Sequence, residues 1–159
     1  MYKAGIGYDI HRLEAGRKLV LGGIEIPFEA GLLGHSDGDA LVHAIIDALL
    51  GALGEADIGT HFPDTDPRHK DAKSTGLLAT VVGLVRSHGG EIVNVDTVVV
   101  AEAPRIGPHV AAMKAALAPV LGLPAGGLGI KAKTNEGLGP VGEKRAIACH
   151  AVVLLRFPD

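Results

Sequence analysis

The sequence predicts an α+β domain over residues 1–159, a single mixed β-sheet with helices packed on one side. Three observations predict it. Runs rich in Val, Ile and Leu at Glu91–Ala101, Leu128–Lys133 and Arg145–Phe157 read as strands. Leu41, Val42, Ile45, Ile46, Leu49, Leu50 and Leu53 recur at a helical period. The full order is strand, hairpin, two helices, strand, helix, two strands, which makes one sheet layer with its helices on one face.

Met1 to Arg12 reads as a strand ending at Asp9 and His11. Lys18–Leu21 and Ile24–Ile26 read as a hairpin turned by Gly22-Gly23, followed by loop from Glu29 to Ser36. Asp37-Gly38-Asp39 opens the first helix with negative charge, as the helix dipole favours. Ala56 to Asp71, with Phe62-Pro63-Asp64-Thr65-Asp66-Pro67, reads as a loop long enough to be a lid. Ser74 to His88 is a second helix, capped by Ser74 or Asp71 and stopped by Gly89-Gly90. Pro104 to Leu121 holds a third, broken late by Pro119.

The chain is 47% hydrophobic and 21% charged, with formal charge −3, a balance without the basic bias of nucleic-acid binders. No apolar run reaches the roughly 18 residues of a membrane helix, and the N-terminus lacks a signal or transit pattern. The lone Cys149 excludes an internal disulfide and a cysteine zinc site. These features predict a cytoplasmic protein. The last strand is apolar at nearly every position from Ala146 to Leu155, so it needs cover on both faces, which predicts an oligomer.

Asp9 and His11, two apart on a strand, aim at one point, and His43 on the first turns of the next helix can supply a third ligand. Two imidazoles and a carboxylate leave a fourth position open on tetrahedral zinc, as in catalytic sites. Such an ion polarises a phosphoryl or carbonyl oxygen. Asp39 and Asp47 flank His43 at four-residue spacing and are candidates to orient its ring, against the plain alternative of solvated acids. His35-Ser36 precedes a helix N-terminus suited to a phosphate, although a simple cap explains it too. Lys133 and Thr134 could contact phosphate and Glu136 a hard cation, against a solvated turn. No P-loop or dinucleotide-binding glycine pattern occurs in a suitable context.

Gly7-Tyr8-Asp9-Ile10-His11, Gly22 to Pro27, His35-Ser36-Asp37-Gly38-Asp39, Asp47 to Gly51, Asp57-Ile58-Gly59, Phe62-Pro63-Asp64-Thr65-Asp66, Ala103-Pro104 and Lys131 to Glu136 follow one another in this order. With these blocks the whole chain resembles the 2-C-methyl-D-erythritol 2,4-cyclodiphosphate synthase family. The resemblance implies a ferredoxin-like or chorismate-mutase-like arrangement, a homotrimer and active sites between subunits. It implies attack of a 2-phosphate on the β-phosphorus of a cytidine diphosphate ester, with release of CMP. By the same resemblance, Zn²⁺ (or a similar ion) sits on Asp9, His11 and His43, and Mg²⁺ or Mn²⁺ on Glu136. His35 and Ser36 bind the methylerythritol phosphate region. Asp57, Gly59, Phe62, Pro63, Asp64 and Asp66 surround the sugar alcohol. Ala101, Ala103, Pro104, Arg105 and Ile106 match a cytosine pocket, and Ala132, Lys133, Thr134 and Asn135 the segment beside the diphosphate. Catalytic roles fall to His35, Lys133, Thr134 and Glu136, with Asp47 and Asp39 orienting His43.

Glu143-Lys144-Arg145 departs from the family, whose members often carry Arg first and Glu second at these alternate positions. In some relatives that Arg is linked to an isoprenoid diphosphate in a central channel, so the exchange implies weaker or different binding here. Two other readings use the same residues. A zinc phosphoesterase would need an activated water, and a non-catalytic sensor of isoprenoid intermediates would not need an open zinc position.

Overall fold

The first strand, β1 (Tyr2–Ala15), buries Gly5 and Gly7 on one face and exposes Ile6 and Tyr8 on the other. Glycine here serves close approach: a Cβ on Gly7 would lie 1.9 Å from the Ala44 carbonyl oxygen, and one on Gly5 equally close to that of Ala48. Helix α1 (Ala40–Leu53) therefore lies directly on β1 and runs back along it, with Ala44, Ala48 and Ala52 forming the contact stripe. Asp9 and His11 continue the glycine face, which aims them at the start of α1.

The computed structural model describes residues 1–158. Beyond β1, the ribbon of β2 (Leu19–Leu21) and β3 (Ile24–Ile26) is followed by β4 (Ala30–Leu32), α2 (Ile58–His61) and α3 (Ser74–Ser87). Then come β5 (Glu91–Val100), α4 (Val110–Leu121), β6 (Leu128–Lys133), α5 (Gly139–Gly142) and β7 (Ala146–Arg156). The main sheet is mixed, ordered β4-β1-β7-β5-β6, and only β5 and β6 run parallel. The α+β class holds. The expected single sheet does not, because β2 and β3 form a second, two-stranded sheet.

Eleven of the fourteen α1 residues are buried, so this helix is enclosed between the sheet and α3 rather than lying on a surface. Burying each large aliphatic side chain there contributes about 1.5–3 kcal/mol. The long helices share one face of the sheet, as expected. The four-residue α5 lies on the opposite face, where Val141 packs on Ala146, Ala148 and Val100. From Cys149 onward β7 alternates buried and open positions, so its outer face has no cover from the described residues.

Several boundaries differ from expectation. β1 runs on to Ala15 because Leu13 to Ala15 pair with β4, which occupies the stretch expected to be loop. The 56–71 segment contains α2 and a 3₁₀ turn at Pro67–His69, each opened by an Asp that accepts backbone N–H groups. The α4 helix starts only at Val110, after a 3₁₀ turn at Gly107–His109. Neither Ser74 nor Asp71 caps α3. Lys73 holds the cap position without a side-chain bond, and Asp37 instead accepts the Ser74 N–H at 3.0 Å.

Candidate metal and phosphate site

Asp9, His11 and His43 converge. Asp9 Oδ2 lies 2.7 Å from His11 Nε2 and 3.0 Å from His43 Nδ1, and the two ring nitrogens are 3.2 Å apart. They are the one group among the described residues whose ligand atoms gather closely enough for a shared ion. The donor chemistry fits a borderline divalent cation, two imidazoles and one carboxylate on one side of an open cavity. His11 Nδ1 donates to the Leu33 carbonyl at 2.6 Å, which leaves Nε2 as its ligand atom.

The electrostatics match. Burial pushes the Asp9 carboxyl up, but hydrogen bonds and charge from His11 and His43 outweigh it and hold Asp9 below the usual carboxylate range. Burial pulls His11 down, while Asp9 and the Leu33 carbonyl hold it above an ordinary imidazole. His11 Nε2 shares its proton with Asp9 at 2.7 Å, so a cation binding there displaces that proton.

The cavity holding this tripod measures about 420 Å³. His35, Ser36, Gly59, Phe62 and Asp64 line it with the three ligands. Leu77 and His69 also line it, and the latter stacks edge-on against Phe62 at 5.4 Å. Pro63 adjoins this wall in the chain. Asp57 caps α2 through Thr60, whose hydroxyl and N–H lower its pKa. Asp66 caps the 3₁₀ turn, and its backbone carbonyl meets His35 Nε2 at 3.3 Å.

The 32–36 loop is held from below by Arg17, whose guanidinium donates to the carbonyls of Leu32, Gly34 and Ser36 at 2.7, 3.3 and 2.8 Å. Asp39 does not orient His43. It is fully buried and accepts the N–H groups of Gly22, Gly23 and Val42 at 2.9, 2.7 and 3.1 Å, tying the ribbon turn to the start of α1. Nor does Asp47 bond the His43 ring. Its Oδ1 accepts the Ile58 N–H at 2.8 Å and seats α2, and burial pushes its carboxyl up. The ring is met at Nε2 by two hydroxyls, Ser36 Oγ at 3.1 Å and Ser74 Oγ at 2.8 Å.

Sequence reasoning missed Ser74, Arg17 and the Leu33 carbonyl, because each reaches the site through a tertiary contact. A second cavity of about 460 Å³ gathers Ala101, Pro104, Arg105 and Ile106 with Ala132, Lys133 and Thr134. Ala103 lies within its wall in sequence. Asn135 and Glu136 follow on the adjoining loop, where Glu102 Oε1 accepts the N–H of Asn135 at 2.7 Å and of Gly137 at 3.3 Å. Glu136 is exposed, with a left-handed φ of 53°. None of the described residues lines both cavities. Glu143 and Arg145 pair within the chain at 2.7 Å.

The model of the YgbB family matches residues 2–156. The chain belongs to the YgbB family. A 2-C-methyl-D-erythritol 2,4-cyclodiphosphate synthase of Gloeobacter violaceus is 60% identical over 153 residues, 96% of this chain and 94% of that protein. The bifunctional IspDF of Campylobacter jejuni superposes with a TM-score of 0.95 at 39% identity, covering 100% of this chain and 43% of that one. IspF of Plasmodium falciparum, solved as a CDP complex, superposes at 0.87 with 37% identity, covering 99% and 97%. This YgbB-family chain thus shares both sequence and mixed α+β fold with them over nearly its whole length.

Proposed function

We propose that this chain converts 4-diphosphocytidyl-2-C-methyl-D-erythritol 2-phosphate to 2-C-methyl-D-erythritol 2,4-cyclodiphosphate and CMP, in the non-mevalonate route to isoprenoids. It is a phosphorus–oxygen lyase. Relatives named for this synthase are 52–60% identical over nearly the full chain. The single observation that carries the reading is the Asp9, His11 and His43 tripod opening into the cavity beside His35 and Ser36.

A 2-phosphate oxygen forms a bond to the β-phosphorus, and the bond from that phosphorus to the bridging oxygen breaks. The electron pair leaves with CMP and an eight-membered cyclic diphosphate remains. The nucleophile is already an anion, so the protein need not remove a proton. Its tasks are alignment and charge neutralisation. Asp9, His11 and His43 would hold zinc or a similar ion, which supplies positive charge to a β-phosphate oxygen. Glu136 would hold Mg²⁺ or Mn²⁺ with the diphosphate. His35 and Ser36, on the loop braced by Arg17, align the 2-phosphate. Asp57 bonds the sugar-alcohol hydroxyls, while Phe62, Pro63, Asp64, Asp66 and Gly59 enclose that part and keep water out. Ala101, Ala103, Pro104, Arg105 and Ile106 form a base pocket, with Ala132, Lys133, Thr134 and Asn135 beside the diphosphate. The CDP complex of the Plasmodium falciparum relative supports a cytidine diphosphate site.

The assembly is a homotrimer with its active sites between subunits. Its support is the outer sheet face, where Ile6 is 74% and Val152 50% exposed beside Tyr8 and Ile10. The separation of the metal cavity from the base cavity also supports it, since a neighbouring copy can supply the second to the first. None of the described helices is long and apolar enough to cross a membrane, and a cytoplasmic location accords with the single buried Cys149.

Turnover in ¹⁸O-labelled water separates this reaction from hydrolysis. Cyclisation leaves the label out of the product, and a labelled linear phosphate would replace the cyclase by a phosphoesterase.

A further inference from the structure

His43 faces the tripod with Nδ1 and the protein interior with Nε2. A neutral imidazole carries its proton on one nitrogen only, so His43 is a ligand at Nδ1 only if that proton sits on Nε2. Asp9 Oδ2, 3.0 Å from Nδ1, competes for that proton, and the contacts behind the ring set the balance against it. Ser74 is fully buried, and its Oγ donates to Asp37 Oδ1 in a short hydrogen bond. A carboxylate can only accept, and Ser74 has one hydroxyl proton, so that proton is committed to Asp37. The remaining lone pairs of Ser74 Oγ, 2.8 Å from His43 Nε2, must then accept from an Nε2–H. Asp37 grips Ser74 twice, because its Oδ2 also accepts the Ser74 backbone N–H at 3.0 Å. That second bond fixes the backbone of the first residue of α3 beside Asp37.

We propose that Asp37 and Ser74 are positioning residues that fix the His43 tautomer, holding its proton on Nε2 and presenting a bare Nδ1 to the metal. This rests on the metal reading of the tripod. The arrangement complements His11, where the Leu33 carbonyl takes the Nδ1 proton and frees Nε2. The two rings thus use opposite nitrogens, each set by an acceptor that cannot donate toward it. Ser36 Oγ, farther from His43 Nε2 at 3.1 Å, also receives from it. Its own proton has only Ser74 Oγ at 3.4 Å to hold it and can turn toward an anion in the cavity, which separates the two serines: Ser74 orients the ligand and Ser36 faces the substrate.

The test is long-range ¹H–¹⁵N NMR of the His43 ring, first in the zinc-free wild-type protein at a pH where the ring is neutral. The expected result is one tautomer with the proton on Nε2, and a proton on Nδ1 or an even mixture overturns the proposal. In Ser74→Ala the ring should populate both tautomers, and zinc affinity by chelator competition should fall about 10–100-fold, the usual loss when a ligand's orienting partner is removed. Ser74→Thr, which keeps the hydroxyl, should restore the single tautomer, and Asp37→Asn should fall between. Loss of thermal stability in Ser74→Ala with the wild-type tautomer and zinc affinity retained would mean that Ser74 only ties α3 to Asp37, and would overturn the assignment. If wild-type protein takes up no zinc, the metal reading fails. The tautomer measured without metal still decides whether Ser74 and Asp37 set the ring.

Discussion

Gly7→Ala tests whether the contact of β1 with α1 sets the metal tripod. The new Cβ would sit 1.9 Å from the Ala44 carbonyl oxygen and 2.9 Å from the Ala48 nitrogen. Both are backbone atoms of an enclosed helix, so no side chain can turn aside. Opening 1.9 Å to an ordinary contact of 3.4 Å requires β1 and α1 to part by about 1.5 Å. Overpacking that neighbours can absorb costs about 1–3 kcal/mol, and here about 3 kcal/mol is the lower bound. At about 2–4 °C per kcal/mol for a chain of this size, Tm should fall by at least roughly 6–12 °C. The metal site should suffer as well, because Asp9 rides on β1 and His43 on α1. Their donor atoms are 3.0 Å apart. An added 1.5 Å exceeds the span of about 4 Å that two bonds of about 2.0–2.1 Å reach even in line. Zinc affinity should fall by more than an order of magnitude. Gly76→Ala is the control, since a Cβ there meets nothing within 4 Å and alanine gains up to about 1 kcal/mol of helix preference. Circular dichroism melts and chelator competition read both quantities. Gly7→Ala matching the control in Tm and zinc affinity would refute the reasoning.

Three further outcomes are expected. Asp39→Asn keeps one acceptor oxygen but turns an amide NH₂ toward a backbone N–H, so urea unfolding should show a loss of about 1–3 kcal/mol; an unchanged midpoint would remove the link between ribbon and α1. Arg68 hydrogen-bonds Asp66 and lowers its carboxyl to about 2. The contact therefore favours the folded turn above the ordinary carboxylate range and is lost as pH falls through about 2. In Arg68→Ala, an NMR titration of Asp66 should move up toward the ordinary value, and a curve identical to wild type would contradict the pairing. Glu102→Ala frees the Asn135 and Gly137 N–H groups, so KM for the cytidine diphosphate substrate should rise while zinc content stays full. A change in zinc content with KM constant would place Glu102 in the wrong cavity.

Much of the site was readable in sequence because it obeys local periods. Asp9 and His11 share a strand face, and His43 sits in the first turns of a helix with a regular apolar repeat. What escaped depends on contacts between distant segments. Three-residue β4 has too few positions to show alternation and exists through its pairing with Leu13 to Ala15. The glycines of β1 carry no hydrophobic signal, although they bury the face that matters most. Asp39 and Asp47 have the spacing of ring-orienting acids, yet the helix start claims the first and α2 the second. The hydroxyls behind the His43 ring come from serines 7 and 31 residues away. The apolar last strand led to the expectation of cover on both faces, and the structure leaves its outer face open in the single chain.

The most direct test is ³¹P NMR of the purified protein with its cytidine diphosphate methylerythritol 2-phosphate substrate, Zn²⁺ and Mg²⁺. The account predicts stoichiometric CMP together with two mutually coupled resonances of a cyclic diphosphate, lost in His43→Ala. CMP accompanied by a linear phosphate product, or no turnover by zinc-loaded protein, would contradict it.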